Sequence, residues 1–202
     1  MRVFLTELCS VTQQELKRLA ATLPADRLAQ ATRRDGSLDA QRVIGFCLVR
    51  YAVAQIAPTA DAEHWQRDEN GKPKLSNAPL HFNLTHTPDA VAVVIATHEV
   101  GVDLEQIRPH PPRFVKRYFD ENEQAQIASA PDGDGELCRL WTTKEAAGKR
   151  CGKGLSDGVR CINTADTQSL SLTLNGKAYW LSVSPKSASP LQIEPISVGA
   201  LS

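Results

Sequence analysis

The sequence predicts an α+β (mixed α/β) fold in two halves, residues 1–108 and 109–202, each running helices first and then a small antiparallel sheet. Three observations carry this prediction. Apolar stripes of helical period precede strand-like runs in the first half. Pro109, Pro111 and Pro112 punctuate the middle of the chain. After them a second helical stretch gives way to strand-like runs, two of them joined by the tight-turn dipeptide Asn175-Gly176.

In the first half, Met1 to Leu5 reads as a short strand. Thr12-Gln-Gln-Glu15 has the form of a capping box, and Leu16, Leu19, Ala20 and Leu23 then supply a helical apolar face that Pro24 ends. Arg27, Arg33 and Arg34 follow without clear periodicity. Asp39 to Ile56 is the clearest helix, with Val43, Ile44, Cys47, Leu48, Tyr51 and Ala52 as its buried stripe and Arg42 and Arg50 off it. Asn70-Gly71 marks a tight turn before Lys72-Pro73. Ala90 to Ala96 is a nearly continuous apolar run, hence a buried strand. Thr97-His-Glu99 is expected to turn it back into Val100–Glu105 as an antiparallel hairpin.

In the second half, Arg113 to Phe119 starts a helical segment, and Asp120-Glu-Asn-Glu123 is another capping-box form. Pro131 to Gly135 reads as a loop. A helix is expected from about Glu136 to Lys153, ended by Gly152 and Gly154. Arg160–Ile162, Ser169–Leu174, Lys177–Ser184 and Gln192–Val198 are the remaining strand expectations. No sequence repeat between the halves is visible.

Composition narrows the function classes. With 202 residues, 42% hydrophobic and 23% charged, the chain is ordinary for a globular protein. A formal net charge of +0 argues against a nucleic-acid partner. The scattered Cys9, Cys47, Cys138, Cys151 and Cys161 form no Cys-x-x-Cys pair, which points to reduced cytosolic thiols. No apolar run approaches the roughly 20 residues of a membrane span, and Val3-Phe4-Leu5 is too short for a signal peptide. A cytoplasmic monomer is the expectation.

Two stretches carry chemistry. In Val100-Gly-Val-Asp-Leu-Glu105, Asp103 and Glu105 are two residues apart on a strand, so both side chains leave one face. In Trp141-Thr-Thr-Lys-Glu-Ala-Ala-Gly-Lys149, Trp141, Glu145 and Lys149 recur at helical spacing on one face. Packed together, these elements would bring Asp103, Glu105 and Glu145 to one place with the Lys149 ammonium. Oxygen donors of that kind suit a hard cation such as Mg²⁺, with positions left for water or phosphate. Singly, an Asp-x-Glu is a common solvated edge and a Glu–Lys pair a common surface charge; the combination is the signal.

Gly101-Val-Asp-Leu-Glu105, Trp141-Thr-Thr-Lys-Glu-Ala-Ala-Gly-Lys149 and Gly152-Lys-Gly-Leu155 resemble the signature of the 4′-phosphopantetheinyl transferase superfamily. Gly71-Lys-Pro73 ahead of His81-Phe-Asn-Leu-Thr-His-Thr87 is similar to its surfactin-type (Sfp-like) class, with Thr85 and Thr87 in place of serines. The resemblance spans Lys72 to Leu155. It implies two similar halves about a pseudo-two-fold with the active site between them: coenzyme A recognition in residues 1–108, the catalytic helix in residues 109–202. It implies Mg²⁺ held by Asp103, Glu105 and Glu145 against the pyrophosphate of coenzyme A. Glu145 and Lys149 become the catalytic residues, Lys149 facing the leaving 3′,5′-ADP. Arg27, Arg42, Lys72, Pro73, Thr85 and His86 become coenzyme A contacts, Lys72 and His86 at the 3′-phosphate. Asp26 and Ala29 fall where relatives often carry lysine. Glu123 reads equally as a helix cap or a support for the metal ligands.

The implied reaction moves phosphopantetheine onto a serine of an apo acyl, peptidyl or aryl carrier protein. Arg113, Lys116 and Arg117 are a conceivable docking patch for an acidic carrier, or a solvated helix face. Two other readings use the same residues: a Mg²⁺-dependent hydrolase of nucleotide pyrophosphates, and a catalytically silent coenzyme A-binding protein.

Overall fold

The computed structural model describes residues 1–76, 78–152 and 162–202. It is α+β. The chain forms two compact units, Met1–His98 with Gln192–Ser202, and Glu99–Leu191. The division therefore falls ahead of the Val100–Glu105 strand and not at the proline segment, and the last residues rejoin the first unit.

The first unit begins with β1 (Arg2–Glu7). Helix α1 (Gln13–Ala20) starts from the expected capping box, Thr12 accepting from the Glu15 N–H and Glu15 accepting from the Thr12 N–H. A short helix α2 (Ala25–Ala31) stands where the sequence shows no periodicity. Helix α3 (Ala40–Ala54) is capped by Asp39 and buries Val43, Ile44, Cys47 and Leu48 completely. Each aliphatic side chain so buried contributes about 1.5–3 kcal/mol. The strands β2 (Gln66–Arg67) and β3 (Pro73–Lys74) form a small hairpin whose turn uses Gly71 at φ +81°. Strands β4 (His81–His86) and β5 (Ala90–Ala96) follow, and every residue of β5 is buried.

The second unit opens with β6 (Gly101–Gln106). Helices α4 (Pro112–Tyr118), α5 (Glu121–Ser129) and α6 (Gly133–Cys151) come next. The loop expected up to Gly135 is shorter than predicted, because Asp132 accepts from the Gly135 N–H and starts α6 early. Gly152 ends α6 in the left-handed region at φ 71°. Strands β7 (Gln168–Leu174) and β8 (Lys177–Ser184) are joined at Asn175 and Gly176, both at positive φ as a primed hairpin turn requires. The expected cap at Gly154 and strand residues Arg160 and Cys161 lie outside the described residues.

Pairing corrects one expectation. β5 does not form a hairpin with the strand after it. Both of its edges are taken, by β1 and β4, in a sheet of order β4-β5-β1 completed by β9 (Ile193–Pro195), which runs parallel to β1. β6 pairs instead with β8 in the antiparallel sheet β6-β8-β7. Arg2 donates twice to Glu194 at 2.7 and 2.6 Å, fastening β1 to β9. Past β9 the expected strand to Val198 becomes a 3-10 turn, Val198–Leu201. Among the described residues no helix is long and apolar enough to cross a membrane, and Cys9, Cys47, Cys138 and Cys151 are free thiols.

Candidate active site

In the second unit, α6 packs against β6 and β8. The contact is close because the touching residues are small. A Cβ on Gly101 would lie 2.1 Å from the Ala146 carbonyl oxygen and 2.5 Å from the Arg150 nitrogen. No L side chain fits there without moving backbone, so the glycine sets the distance between strand and helix. Ala146 is fully buried in the same contact. Beside it Thr142 Oγ1 and Ser182 Oγ are 2.7 Å apart, and Ser182 Oγ is 2.8 Å from Ser169 Oγ, a buried hydroxyl ladder running from helix to sheet.

Register places the carboxylates on that side. Asp103 pairs with Ser182 across β6 and β8, and Glu105 pairs with Trp180. Partners in an antiparallel pair share a face, so Asp103 and Glu105 lie on the face that Ser182 turns to α6. From the helix, Lys149 Nζ reaches Asp103 Oδ1 at 2.7 Å, with the Asp103 side chain 5% exposed and that of Lys149 29%. Glu145 lies one turn before Lys149. Its carboxyl is pushed up to about 7, first by burial and next by the charge of Asp103, with Lys149 opposing and Glu105 adding. Glu105 is raised for the same reasons, burial first and Asp103 next, against Arg108, Lys149 and a hydrogen bond from Trp141.

After burial, the charge of Asp103 thus acts on both glutamates. The three carboxylates do not form a finished metal cage: among the described residues no group of three or more His, Cys, Asp or Glu is set to hold an ion. The convergence expected of Asp103, Glu105 and Glu145 is electrostatic, and the Lys149 ammonium sits on Asp103. The donor set still suits a hard divalent cation in kind. Mg²⁺ commonly takes one or two carboxylates and completes its shell with water and phosphate oxygens, and a cation here would relieve the crowding that raises Glu105 and Glu145.

Behind this cluster Lys144 is 1% exposed and its Nζ lies 2.9 Å from Glu123 of α5 and 5.5 Å from the Phe119 ring centroid. Glu123 also closes the α5 capping box with Asp120. Its role is therefore a cap and an ion-pair partner. Trp141 belongs to an aromatic group with Phe114 and Tyr118 of α4, centroids 4.9 and 5.1 Å away. Arg113, Lys116 and Arg117 are exposed on α4.

In the first unit, a cavity of about 250 Å³ brings Arg42 and His86 to one wall, with Phe46 and Trp65 as aromatic lining. Thr85 is buried on β4. The Thr87 hydroxyl accepts from the N–H groups of Asp89 and Ala90, so it holds a turn. Lys72 is largely buried in the β2–β3 turn, and Pro73 faces Arg67 across the hairpin. Arg27 is not presented to a ligand. It is 7% exposed, stacks 3.9 Å over Trp65 and donates to the carbonyls of Glu63 and Trp65.

Residues 99–192 match the model of the 4′-phosphopantetheinyl transferase superfamily, nearly the span of the second unit. The chain is 30% identical over 152 residues to the 4′-phosphopantetheinyl transferase psf-1 of Bacillus pumilus, covering 73% of this chain and 65% of that one. It is 31% identical over 147 residues to a 4′-phosphopantetheinyl transferase of Bacillus subtilis, covering 70% and 66%. A 90-residue stretch is 39% identical to the 4′-phosphopantetheinyl transferase AcpT of Salmonella typhimurium, 42% of this chain and 47% of that one. The chain is similar to the 4′-phosphopantetheinyl transferases, both over the span of the family model and in these relatives. In each of these three comparisons it spans less than two thirds of the relative's length.

Three features of the site go beyond the motifs of the sequence. In the sequence Gly101 is only part of a motif; its spatial role follows from a helix packed on the strand. Lys144 has a signal in the sequence, since a lysine on the apolar side of a helix points to a buried partner. Arg67 lines the cavity with Arg42 and His86. The Asn70-Gly71 turn alone could have placed it opposite Pro73.

Proposed function

We propose that this protein transfers 4′-phosphopantetheine from coenzyme A to a serine of an apo carrier protein, releasing 3′,5′-ADP. The observation that carries the proposal is the cluster of Asp103, Glu105, Glu145 and Lys149 on β6 and α6, within the span that matches the superfamily model. Asp103, Glu105 and Glu145 are the donors that would hold Mg²⁺, which when bound neutralises pyrophosphate charge.

The serine oxygen forms a bond to the β-phosphorus, and the bond from that phosphorus to the oxygen of 3′,5′-ADP breaks. The serine proton needs an acceptor. Glu145 is the acceptor proposed, because its carboxylate stands on the helix face that carries Lys149 and within the field of Asp103. Lys149 supplies positive charge for the departing phosphate, a contribution that grows as the bond breaks. The Cys138 thiol is pushed up to about 12 by burial and then by Glu105, so a thiolate nucleophile is unsuited here.

In the first unit, Lys72, His86 and Arg42 are the proposed contacts to the nucleotide end of coenzyme A. Arg27 is reassigned from a contact to a support for Trp65. Product analysis tests the reading against a hydrolase: coenzyme A is incubated with the protein and Mg²⁺, with and without an apo carrier. 3′,5′-ADP formed only with the carrier supports transfer; equal release without it means pyrophosphate hydrolysis; retention without turnover means a silent binder.

A further inference from the structure

The cavity of the first unit is lined by more cationic side chains than Arg42 and His86. Arg67 stands on its wall with Arg42 and His86, beside Phe46 and Trp65, and no carboxylate lines it among the described residues. Two guanidiniums, an imidazole and two aromatic rings around about 250 Å³ suit an aromatic base that carries a phosphate. Arg42 spends one donor on the Gln30 carbonyl at 2.6 Å, and Arg67 one on the Gly71 carbonyl at 2.6 Å. A guanidinium has five N–H donors, so each keeps capacity for an anion.

Arg67 is also positioned. Its Cζ lies 5.8 Å from the Trp65 ring centroid, and that ring carries Arg27 at 3.9 Å. The charge of Arg67 is among the causes that lower the Arg27 pKa, after burial and against Asp26. Arg27, buried against the Trp65 ring with Nε and Nη2 on carbonyl oxygens, adds positive field. The hairpin fixes Arg67 opposite Pro73, next to Lys72.

We infer that Arg67 is a specificity-determining residue that selects a nucleotide bearing a phosphate on the 3′ position of its ribose. This rests on the coenzyme A reading above, which supplies the identity of the phosphate.

The test is calorimetric titration of the full chain with 3′,5′-ADP and with 5′-AMP, for the wild type, Arg67→Ala and Arg67→Lys, with circular dichroism confirming that each variant is folded. The wild type should prefer the bisphosphate by at least about tenfold, the worth of a charge-assisted hydrogen bond. Arg67→Ala should lose most of that preference with little change toward 5′-AMP, and Arg67→Lys should restore part of it. Arg67→Ala keeping the full preference, or losing both ligands equally, overturns the assignment of Arg67 alone. A wild type that shows no preference while still turning over coenzyme A does the same. A wild type that binds neither nucleotide and does not turn over coenzyme A overturns the coenzyme A reading and this inference with it.

Discussion

A methyl group on Gly101 would stand 2.1 Å from the carbonyl oxygen of Ala146. That single approach brings α6 down onto β6 and puts Glu145 and Lys149 beside Asp103. Gly101→Ala should therefore push the helix off the strand. Overpacking of this kind costs about 1–3 kcal/mol, and the displaced Glu145 and Lys149 should lower turnover at least about tenfold. Urea melts and steady-state rates on one preparation check this. Wild-type values for both would mean that the backbone absorbs the methyl and that the spacing is not critical.

Lys149→Met removes the charge and keeps the stem. Transition-state stabilisation by one such group predicts a fall in kcat of about 10²-fold or more, roughly 3 kcal/mol, with a smaller change in coenzyme A affinity. The structure adds a second signature. Lys149 opposes the rise of the Glu145 pKa. Without it, that carboxyl titrates above about 7, so the acidic limb of the pH–rate profile should move to higher pH. A normal kcat with an unmoved profile would make Lys149 a surface partner of Asp103 only.

Glu145 predicts a pH dependence of the metal-free protein. Its folded-state pKa of about 7 lies above the ordinary glutamate value of 4.5. A raised acid stabilises the fold fully below the unfolded value and loses that contribution as pH rises through the folded one. Melting temperature should therefore fall between about pH 5 and pH 7, and Glu145→Gln should flatten that fall. Added Mg²⁺ should raise the melting temperature more at pH 8 than at pH 6, because protons compete for the same oxygens. An equal gain at both values would remove Glu145 from the metal site.

Much of this was legible in the sequence, and the gaps have physical causes. The four-residue recurrence of Trp141, Glu145 and Lys149 and the two-residue step from Asp103 to Glu105 fix faces, and the structure pairs Lys149 with Asp103 across them. Capping boxes at Thr12 and Asp120 and the Asn175-Gly176 turn are local chemistry, and they appear as expected. Strand partners are not local. The run Ala90–Ala96 says that β5 is buried but not that β1 and β4 occupy its edges, and nothing near Ile193 says that it returns to Val3. Arg27 carries the same charge in sequence as Arg42; only the fold shows that it is buried against Trp65 with Nε and Nη2 turned to carbonyl oxygens.

Glu123 and Lys144 offer a test of the support beneath the site. Glu123→Ala takes the carboxylate from a lysine that is 1% exposed. Breaking a buried pair costs about 3–5 kcal/mol, whereas losing the cap alone costs about 1 kcal/mol. Denaturant titration separates the two figures. A loss near the smaller one would mean that the ion pair with Lys144 contributes little.

The most direct measurement is the intact mass of an apo acyl or peptidyl carrier protein after incubation with this protein, coenzyme A and Mg²⁺, with a Glu145→Ala, Lys149→Met double variant run beside it. The account predicts that the wild type adds one phosphopantetheine to the carrier serine and that the double variant adds none in the same time. An unchanged carrier mass across acyl, peptidyl and aryl carriers, with folded protein and coenzyme A present, would contradict it.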